Sequence, residues 1–374
     1  MEARVRPGEQ GVAEPFGEAL GVVEPVEDES AEDLGQDLGV EGGKGMEYQA
    51  LAERALAGDL LTTEDGLAVL QAPPEDLHPL LHAAFRVRRA TFGTRVQFHV
   101  LMNAKSGLCP EDCGYCSQSS VSTADIERYP LRSTADMLDA ARKAHQAGAH
   151  RFCLVISARG ATDRELDGIA EAVRAIKAEV PVEVCCSLGL LPLEKAERLK
   201  AAGVDRLNHN LNTSERYYSA ICSTHSYHDR VATVQAAQGA RLATCSGVLA
   251  GMGETDHDLI DVARALGALR VDSVPVNFLN PMPGTPLADV RDLTPWRCLK
   301  ILCLFRFMLP KTEIRVAGGR EVNLRSLQPL ALYPGNSLFI GGYLTSPGQS
   351  AAEALRMVQD LGFEVGEPIA MARF

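Results

Sequence analysis

The chain has 374 residues, 46% of them hydrophobic, and a formal net charge of −12 at pH 7. This length and composition allow a large core, in one big α/β domain or in two smaller ones. No cluster of lysine and arginine stands out, which argues against nucleic acid as the main partner because phosphate binding needs concentrated positive charge. A small-molecule substrate fits better.

The apolar segments and the cysteines indicate in which cellular compartment the protein is expected. There is no apolar run of 18 or more residues and no pattern of a secretory signal, so neither a membrane partner nor export is expected. The ten cysteines are scattered through a long, core-rich chain, which is typical of metal ligands in a reducing compartment rather than of a disulfide framework. We therefore expect a cytoplasmic protein.

Residues 1–45 differ from the rest of the chain. They hold twelve acidic and three basic side chains and lack a sustained apolar period, a composition that predicts a disordered extension. The GGKG of residues 42–45 can be encoded by a purine-rich run of the kind that bacterial ribosomes bind just upstream of a start codon, so Met46 is a candidate for the true start. The folded domain is expected to cover residues 46–374 and to open with helices over 46–92.

Helices and strands alternate along the folded part. Thr63, ahead of two acids, is a candidate helix cap. Helices that return the chain between strands imply parallel pairing, and eight such units predict an α/β fold of the (β/α)8 TIM-barrel type. A six-unit partial barrel or a doubly wound sheet stays open. Strands are predicted in VQFHVLM, RFCLVIS, VEVCCSL, RLNHNL, ARLATCSG, SVPVNFL, EIRVAG and NSLFIGG, and helices in TADMLDAARKAHQAGA, DRELDGIAEAVRAIKAE and TDHDLIDVARALGAL.

The most informative motif is Cys109-Pro-Glu-Asp-Cys113-Gly-Tyr-Cys116, just after the first predicted barrel strand. Three thiolates at this C-x3-C-x2-C spacing can hold three corners of a 4Fe-4S cluster, and the missing fourth ligand leaves one iron open to bind a substrate. The alternative is a structural zinc site, which normally closes with four ligands. No fourth cysteine or histidine follows nearby, since the next cysteine is Cys153, so iron is favoured.

This motif resembles that of the radical S-adenosylmethionine superfamily, which carries it in the same loop of a partial or complete barrel. Tyr115 matches the aromatic residue usual before the third cysteine and is assigned to cofactor binding. The resemblance implies that Cys109, Cys113 and Cys116 hold a 4Fe-4S cluster whose open iron chelates S-adenosylmethionine. Reductive cleavage would give a 5′-deoxyadenosyl radical, so no residue is expected to act as a catalytic acid or base.

Three further cysteines and one arginine lie in predicted strands: Cys153, Cys185, Cys245 and Arg315. Because strand side chains alternate faces, a Cys153 that points into the barrel predicts that Phe152 and Leu154 point outward. By the same rule Cys186 points away from Cys185. Taken singly, each of these cysteines is more simply explained as a small buried hydrophobe. Three others are assigned to that role: Cys222, Cys298 and Cys303.

As a set, the four strand residues match the biotin synthase family, in which three barrel cysteines and an arginine hold a 2Fe-2S cluster. The resemblance runs from about Phe85 to Pro347 through NAKSGLCPEDCGYCSQSS, LNHNLNTSERYY, CSGVLAGMGET and SVPVNFLNPMPGTPLAD. It implies that dethiobiotin is the substrate and biotin the product, with the 2Fe-2S cluster as sulfur donor. It also implies an electron donor such as flavodoxin or ferredoxin, and a homodimer, which is usual in the family.

The same resemblance implies binding roles for five polar residues. Asn210 and Asn212 are expected near the ribose of S-adenosylmethionine and Arg230 near its carboxylate. Asn210 with Asn277 is expected near the ureido ring of dethiobiotin, and Thr345 near the substrate tail. A guanidinium can pair bidentately with a carboxylate, and an amide offers both a donor and an acceptor. The alternatives are a solvated arginine on a helix surface and asparagines that serve turns or caps. Some family members carry Asp in place of Asn212, which is expected to change affinity but not the role.

Two rival functions are retained. Another radical enzyme on the same barrel, such as a hydrogenase-cofactor maturase or an amino-acid mutase, would need the first cluster alone, so the strand cysteines and Arg315 discriminate against it. An iron-sulfur electron carrier or redox sensor would need surface clusters and no substrate cavity, which a long barrel makes a poor explanation. His209, His225 and His228 are left without a role, because structural histidines are commoner than ligands.

Overall fold

The structure is a computed structural model that describes residues 43–107 and 109–366. The first described helix begins at Gly43, three residues before the expected domain start at Met46. Most of the expected acidic extension, residues 1–42, lies outside the described residues. The proposed translation start at Met46 therefore stays a prediction.

Three helices precede the first strand: α1 (Gly43–Ala57), α2 (Thr63–Leu70) and α3 (Leu77–Phe92), with a 3-10 turn at Pro74–Asp76. The N-cap of α2 is Thr62, so the prediction of Thr63 as the cap was wrong by one residue. The Thr62 hydroxyl accepts from the Asp65 N–H at 3.2 Å, and the Asp65 carboxylate accepts from the Thr62 N–H at 2.8 Å. This reciprocal arrangement needs an acid three residues after the cap, which Thr62 has and Thr63 lacks.

A closed barrel of parallel strands follows. Its strands are β1 (Arg95–Lys105), β2 (Arg151–Ile156), β3 (Glu183–Ser187), β4 (Arg206–Asn208), β5 (Ala243–Cys245), β6 (Val248–Ala250), β7 (Ser273–Phe278), β8 (Glu313–Val316) and β9 (Ser337–Phe339). Neighbouring strands pair in parallel, and β9 pairs with β1, which closes the sheet. Because β5 and β6 share one position in the barrel, eight positions result. The predicted (β/α)8 TIM-type fold is confirmed.

Two strands differ from the predicted runs, and one more strand was not predicted. β4 ends at Asn208 although the RLNHNL pattern continues to Leu211, and the strand predicted in ARLATCSG breaks between β5 and β6. A Cβ atom at Gly247 would lie 1.9 Å from the carbonyl oxygen of Pro275, so the break requires glycine there. The additional strand, β10 (Glu364–Val365), pairs with the first residues of β1.

Helices cover the outside of the barrel. They are α4 (Thr134–Gln146), α5 (Asp163–Glu179), α6 (Leu193–Ala201), α7 (Glu215–Ile221), α8 (Tyr227–Gly239), α9 (Asp256–Ala268), α10 (Pro295–Met308), α11 (Arg320–Leu324) and α12 (Ala351–Asp360), with a 3-10 segment at Arg325–Leu332. The three predicted helices correspond to α4, α5 and α9. Like α2, helices α4, α5, α8, α9 and α12 begin with a capping box, which satisfies N–H groups that would otherwise lack a partner.

The apolar core lies between the strands and these helices. Outward-facing residues such as Phe152 and Leu154 of β2 pack in one buried cluster with Ile169 of α5 and Leu199 of α6. A second cluster joins α1, α2 and α3 to α9, α10 and the strands on the other side. In the described part of the chain every helix is too short or too polar to cross a lipid bilayer.

Candidate active site

One cavity of about 310 Å³ is lined by barrel strands and by the loops that follow them. This is the end of a (β/α)8 barrel where active sites are built. Cys185 and Cys245, each 1% exposed, lie beside the cavity, where Cys185 packs in a cluster with Cys153 and Cys245 contacts Arg315. The other predicted site residues line it directly: Cys109, Cys113, Tyr115, Cys116, Cys153, Asn210, Asn212, Arg230, Asn277, Arg315 and Thr345.

The three motif cysteines lie in the loop between β1 and α4. The Cys116 N–H donates to the Cys113 carbonyl at 3.1 Å, which closes a turn around the last two of them. Burial raises the pKa of the Cys109 thiol and raises that of Cys116 to about 11. Iron bound by thiolates offsets this preference for the neutral form, because the cation stabilises the negative sulfur. The donor set and its burial therefore fit an iron-sulfur cluster.

A fourth thiol lies beside the motif. The Sγ atom of Cys222, just after α7, is 3.7 Å from Sγ of Cys113 and 3.2 Å from Nδ1 of His225. Ligand atoms of these three residues lie within 4.8 Å of one another. Assigning Cys222 to ordinary packing was therefore incomplete. Along the sequence no fourth zinc ligand follows the motif closely, but in space Cys222 and His225 lie beside Cys113. Cys298 and Cys303, by contrast, lie fully buried in the apolar core of α10, as expected.

The strand cysteines face the lumen. Cys153 and Cys185 occupy paired positions of β2 and β3, and they share a cluster with Ala317 and Phe339. Phe152, Leu154 and Cys186 instead pack on the helix side of the sheet. The predicted alternation of faces is confirmed for both strands.

Arg315 of β8 lies in the same lumen and is held by a buried charge network. Its Nη1 atom is 3.4 Å from Sγ of Cys245, and its Nη2 atom donates to Glu313 at 2.5 Å and to Ser273 at 2.9 Å. Its buried Nε atom has no hydrogen-bond partner among the described residues. Three lumen thiols supply sulfur ligands, and this Nε–H of the guanidinium beside them supplies a hydrogen-bond donor, a combination that fits a second cluster.

Glu313, which sequence reasoning missed, anchors this network. Burial alone would raise its pKa, but Arg315 and Arg151 hold that pKa well below the ordinary value. Arg151 donates to Glu313 at 3.2 Å, and Ser337 donates at 2.8 Å. The signal was present in the sequence, because Glu313 and Arg315 are two residues apart on one strand and so share a face, as do Arg151 and Cys153.

Arg230, on α8, is buried against the cavity rather than solvated, which removes the alternative of a helix-surface arginine. It donates through Nη1 to the carbonyl of Asn210 at 2.8 Å and through Nε to the hydroxyl of Tyr218. Its Nη2 atom lies 3.4 Å from the hydroxyl of Tyr115. These contacts fix the plane of the guanidinium at the cavity wall.

Asn210 and Asn212 follow the end of β4. Both form hydrogen bonds with Gly247, in the break between β5 and β6. The Asn210 Oδ1 atom accepts from the Gly247 N–H at 3.1 Å, and the Asn212 N–H donates to the Gly247 carbonyl at 2.9 Å. The Asn212 Nδ2 atom donates to Tyr115 at 2.6 Å. Gly247, which lies close against Pro275, therefore holds the side-chain amide of Asn210 and the backbone of Asn212.

Asn277 and Thr345 lie on other parts of the cavity wall. The Asn277 amide bridges β6 and the loop after β8, since it donates to the Val248 carbonyl at 3.0 Å and accepts from the Gly318 N–H at 3.0 Å. The Thr345 hydroxyl lies 2.9 Å from that of Ser117, in the motif loop. Asn277 thus has a structural role on β7 in addition to facing the cavity.

The three unassigned histidines differ in position. His209 and His225 line the cavity, and His225 bonds to Glu111 of the motif loop through Nδ1. His228 is largely exposed, with Nε2 3.5 Å from Glu215. Glu111 also contacts Thr224, at 2.6 Å, so the motif loop is bonded to the segment after α7.

Two family models match the chain in regions that agree with this geometry. The model described as "Radical SAM superfamily" matches residues 105–266, which include the cysteine motif and Arg230. The model described as "Biotin and Thiamin Synthesis associated domain" matches residues 275–364, which include Arg315 and Thr345. With the closed barrel and the motif in its first βα loop, these matches define an enzyme of the radical S-adenosylmethionine type.

Curated relatives show which family of radical S-adenosylmethionine enzymes the chain resembles. The chain is 52% identical over 319 residues to biotin synthase of Bacillus velezensis, covering 85% of this chain and 94% of that one. It is 51% identical to the biotin synthases of Bacillus subtilis strain 168 and Geobacillus kaustophilus, covering 85% of this chain and 95% and 96% of theirs. The chain belongs to the biotin synthase family.

Solved structures show the same fold at low identity. Methylornithine synthase (PylB) matches with a TM-score of 0.74 and 22% identity, covering 85% of this chain and 97% of that one. The FeFe-hydrogenase maturase HydG from Carboxydothermus hydrogenoformans matches with a TM-score of 0.72 and 20% identity, covering 87% and 80%. At such identities the likeness concerns the fold alone.

Proposed function

We propose that this chain converts dethiobiotin to biotin by radical sulfur insertion. The observation that carries the proposal is that the motif cysteines and the lumen pair of Cys153 and Arg315 line one cavity. A radical made at the first set can then reach a substrate held beside the second without entering solvent. Membership of the biotin synthase family supports this assignment.

Two cluster sites follow from the donor sets. Cys109, Cys113 and Cys116 would hold a 4Fe-4S cluster with one open iron, and Cys153, Cys185, Cys245 and Arg315 would hold a 2Fe-2S cluster. When bound, these groups with S-adenosylmethionine supply the 5′-deoxyadenosyl radical and the sulfur atom.

The chain's own residues would bind and orient S-adenosylmethionine and dethiobiotin. Arg230, whose guanidinium plane is fixed by Asn210 and Tyr218, would pair with the carboxylate of S-adenosylmethionine. Asn210 and Asn212 offer amides to the ribose hydroxyls, and Asn210 with Asn277 offers them to the ureido ring. Thr345 would contact the substrate tail at the cavity wall.

Apolar side chains around the lumen exclude water. Phe339 and Ala317 pack beside Cys153 and Cys185, with Leu101 and Tyr343 against them. A dry, fixed site restricts a primary radical to the intended C–H bond, since positioning decides which bond lies within reach.

The rival radical functions need the first cluster alone. Their support here is limited to a shared fold, because the matched maturase and methylornithine synthase are 20% and 22% identical. The rival functions assign no role to the three lumen thiols and Arg315, whereas the proposed function uses all four residues as ligands of the second cluster. An electron carrier is disfavoured because the cysteines line an internal cavity.

The partners that go with this function are part of the proposal. A reductant such as flavodoxin or ferredoxin would supply electrons in the cytoplasm, and the chain would act as a homodimer. Mass measurement of the native protein and turnover with each reductant test these two points separately.

The decisive experiment uses the full chain, prepared without oxygen and loaded with iron and sulfide. We expect iron and sulfide contents that match two clusters, and formation of both 5′-deoxyadenosine and biotin from S-adenosylmethionine, dethiobiotin and a reductant. The Cys303→Ala variant, altered in a core cysteine far from the cavity, is the matched control. Deoxyadenosine without biotin in fully loaded protein would point to another radical reaction.

A further inference from the structure

Cys113 and Cys222 form a close thiol pair at the cavity edge. Their sulfur atoms are 3.7 Å apart, and both residues are buried, at 7% and 5% exposure. A disulfide needs about 2.05 Å between the sulfurs, so the two sulfurs have to close by roughly 1.7 Å to bond. Cys113 also lines the cavity, which gives a small solute access to its sulfur.

Hydrogen bonds from backbone N–H groups hold the two segments together on both sides of this pair. Before Cys113, the Asp112 carboxylate accepts from the N–H groups of Ser223 at 2.9 Å and Thr224 at 3.2 Å. After Cys113, the Gly114 N–H donates to the Ile221 carbonyl at 2.9 Å. None of these bonds involves a sulfur, so they would keep the two thiols adjacent whether or not iron is bound.

We propose that Cys113 and Cys222 form a reversible disulfide when the protein loses iron under oxidising conditions. Hydrogen peroxide is the oxidant: one thiol takes an oxygen atom to become a sulfenic acid and releases water, and the other thiol attacks that sulfur and releases a second water. Two thiols and one peroxide thus give one disulfide and two waters, and a dithiol reductant returns the disulfide to two thiols by exchange while it becomes a disulfide itself.

The consequence rests on the proposed function, in which Cys113 is a cluster ligand. A disulfide stops Cys113 from proceeding to the sulfinic acid, which is not readily reversed. The same bond blocks reassembly of the cluster until reductant is present. Cys222 would therefore preserve the ligand set through an episode of oxidation.

The test begins with full-chain protein loaded with iron and sulfide under anaerobic conditions. Iron content and S-adenosylmethionine cleavage are measured first, and failure at that stage counts against the proposed function. The protein is then treated with hydrogen peroxide and a chelator until the cluster absorbance is lost, alkylated, digested without reduction and analysed by mass spectrometry. We expect a peptide pair linked through Cys113 and Cys222 to be the main product. Dithiothreitol should reduce the disulfide and separate the two peptides.

Two variants complete the test. Cys222→Ser, which keeps the size of the side chain, should accumulate sulfinic acid at Cys113 and recover at least about threefold less iron after dithiothreitol than the parent. Cys303→Ala should behave as the parent does. The inference is overturned if Cys113 and Cys222 are both alkylated after peroxide, if Cys113 pairs mainly with Cys109 or Cys116, or if Cys222→Ser reloads iron as well as the parent.

Discussion

The Nη1 atom of Arg315 lies 3.4 Å from the Sγ atom of Cys245, while the Nη2 atom of the same guanidinium donates to Glu313 at 2.5 Å. One side of Arg315 therefore faces a proposed cluster ligand and the other is bound to a buried carboxylate. The residue serves both the lumen site and the stability of the barrel.

Substitutions of Arg315 should separate these two roles. Arg315→Lys keeps a positive charge beside Glu313, and it should retain part of the biotin-forming activity with a small loss of stability. Arg315→Met leaves Glu313 with less compensation and should lower the free energy of unfolding by about 3 kcal/mol. Thermal unfolding and biotin yield measured on both variants check this, and equal stability of the two would contradict the ion-pair role.

Substitution of a motif cysteine should abolish radical formation. Cys109→Ala, Cys113→Ala and Cys116→Ala each leave two motif thiolates, one fewer than the three that hold a cluster with one open iron. We expect no 5′-deoxyadenosine above background from any of them. Cys298→Ala, in the apolar core of α10, is the control and should cleave S-adenosylmethionine as the parent does. Parental deoxyadenosine formation by any loaded motif variant would contradict the assignment.

The strand cysteines should behave differently. Cys153→Ala and Cys245→Ala remove proposed ligands of the second cluster but leave the motif loop intact. They should therefore still form deoxyadenosine while biotin formation falls to background. Both products can be quantified from the same reaction by mass spectrometry. Biotin at the parental yield from either variant would remove the case for a sulfur-donating cluster in the lumen.

The barrel could be predicted from the sequence because each strand and each helix has its own periodic pattern of apolar residues, and these patterns alternate along the chain. The strand faces of Cys153 and Cys186 were also predicted correctly, since the side chains of a strand alternate between only two faces. The approach of Cys222 to Cys113 could not be predicted in this way. These cysteines are 109 residues apart, and loop conformation rather than any local period brings them together.

Gly247 should be essential for cofactor binding although it bears no side chain. A Cβ atom there would lie 1.9 Å from the Pro275 carbonyl oxygen, so Gly247→Ala must displace the backbone that bonds to Asn210 and Asn212. We expect a loss of about 1–3 kcal/mol in stability and at least about a tenfold rise in the KM for S-adenosylmethionine. Gly45→Ala, whose Cβ would meet Pro79 at an ordinary 3.9 Å, is the matched control. An unchanged KM would show that these amides do not depend on Gly247.

Asp258, the buried acid in the capping box of α9, should make the stability of the protein depend on pH. Burial alone would raise its pKa, but bonds from Arg216, Ser214 and Thr255 hold that pKa well below the ordinary value. Because the folded-state pKa is the lower one, the stabilisation is complete above about pH 4, where an unfolded aspartate ionises, and is lost as the pH falls further. Asp258→Asn should therefore cost about 1–3 kcal/mol at pH 7, and the difference from the parent should shrink towards pH 3.

Chemical denaturation of both proteins across this pH range measures the effect. The matched control is Asp261→Asn, one turn further along α9, where a half-exposed carboxylate lies 3.8 Å from Arg264. An exposed pair of this kind contributes little, so the control should stay within about 0.5 kcal/mol of the parent at every pH. A difference between Asp258→Asn and the parent that does not change with pH would mean that packing, rather than the carboxylate charge, accounts for the role of Asp258.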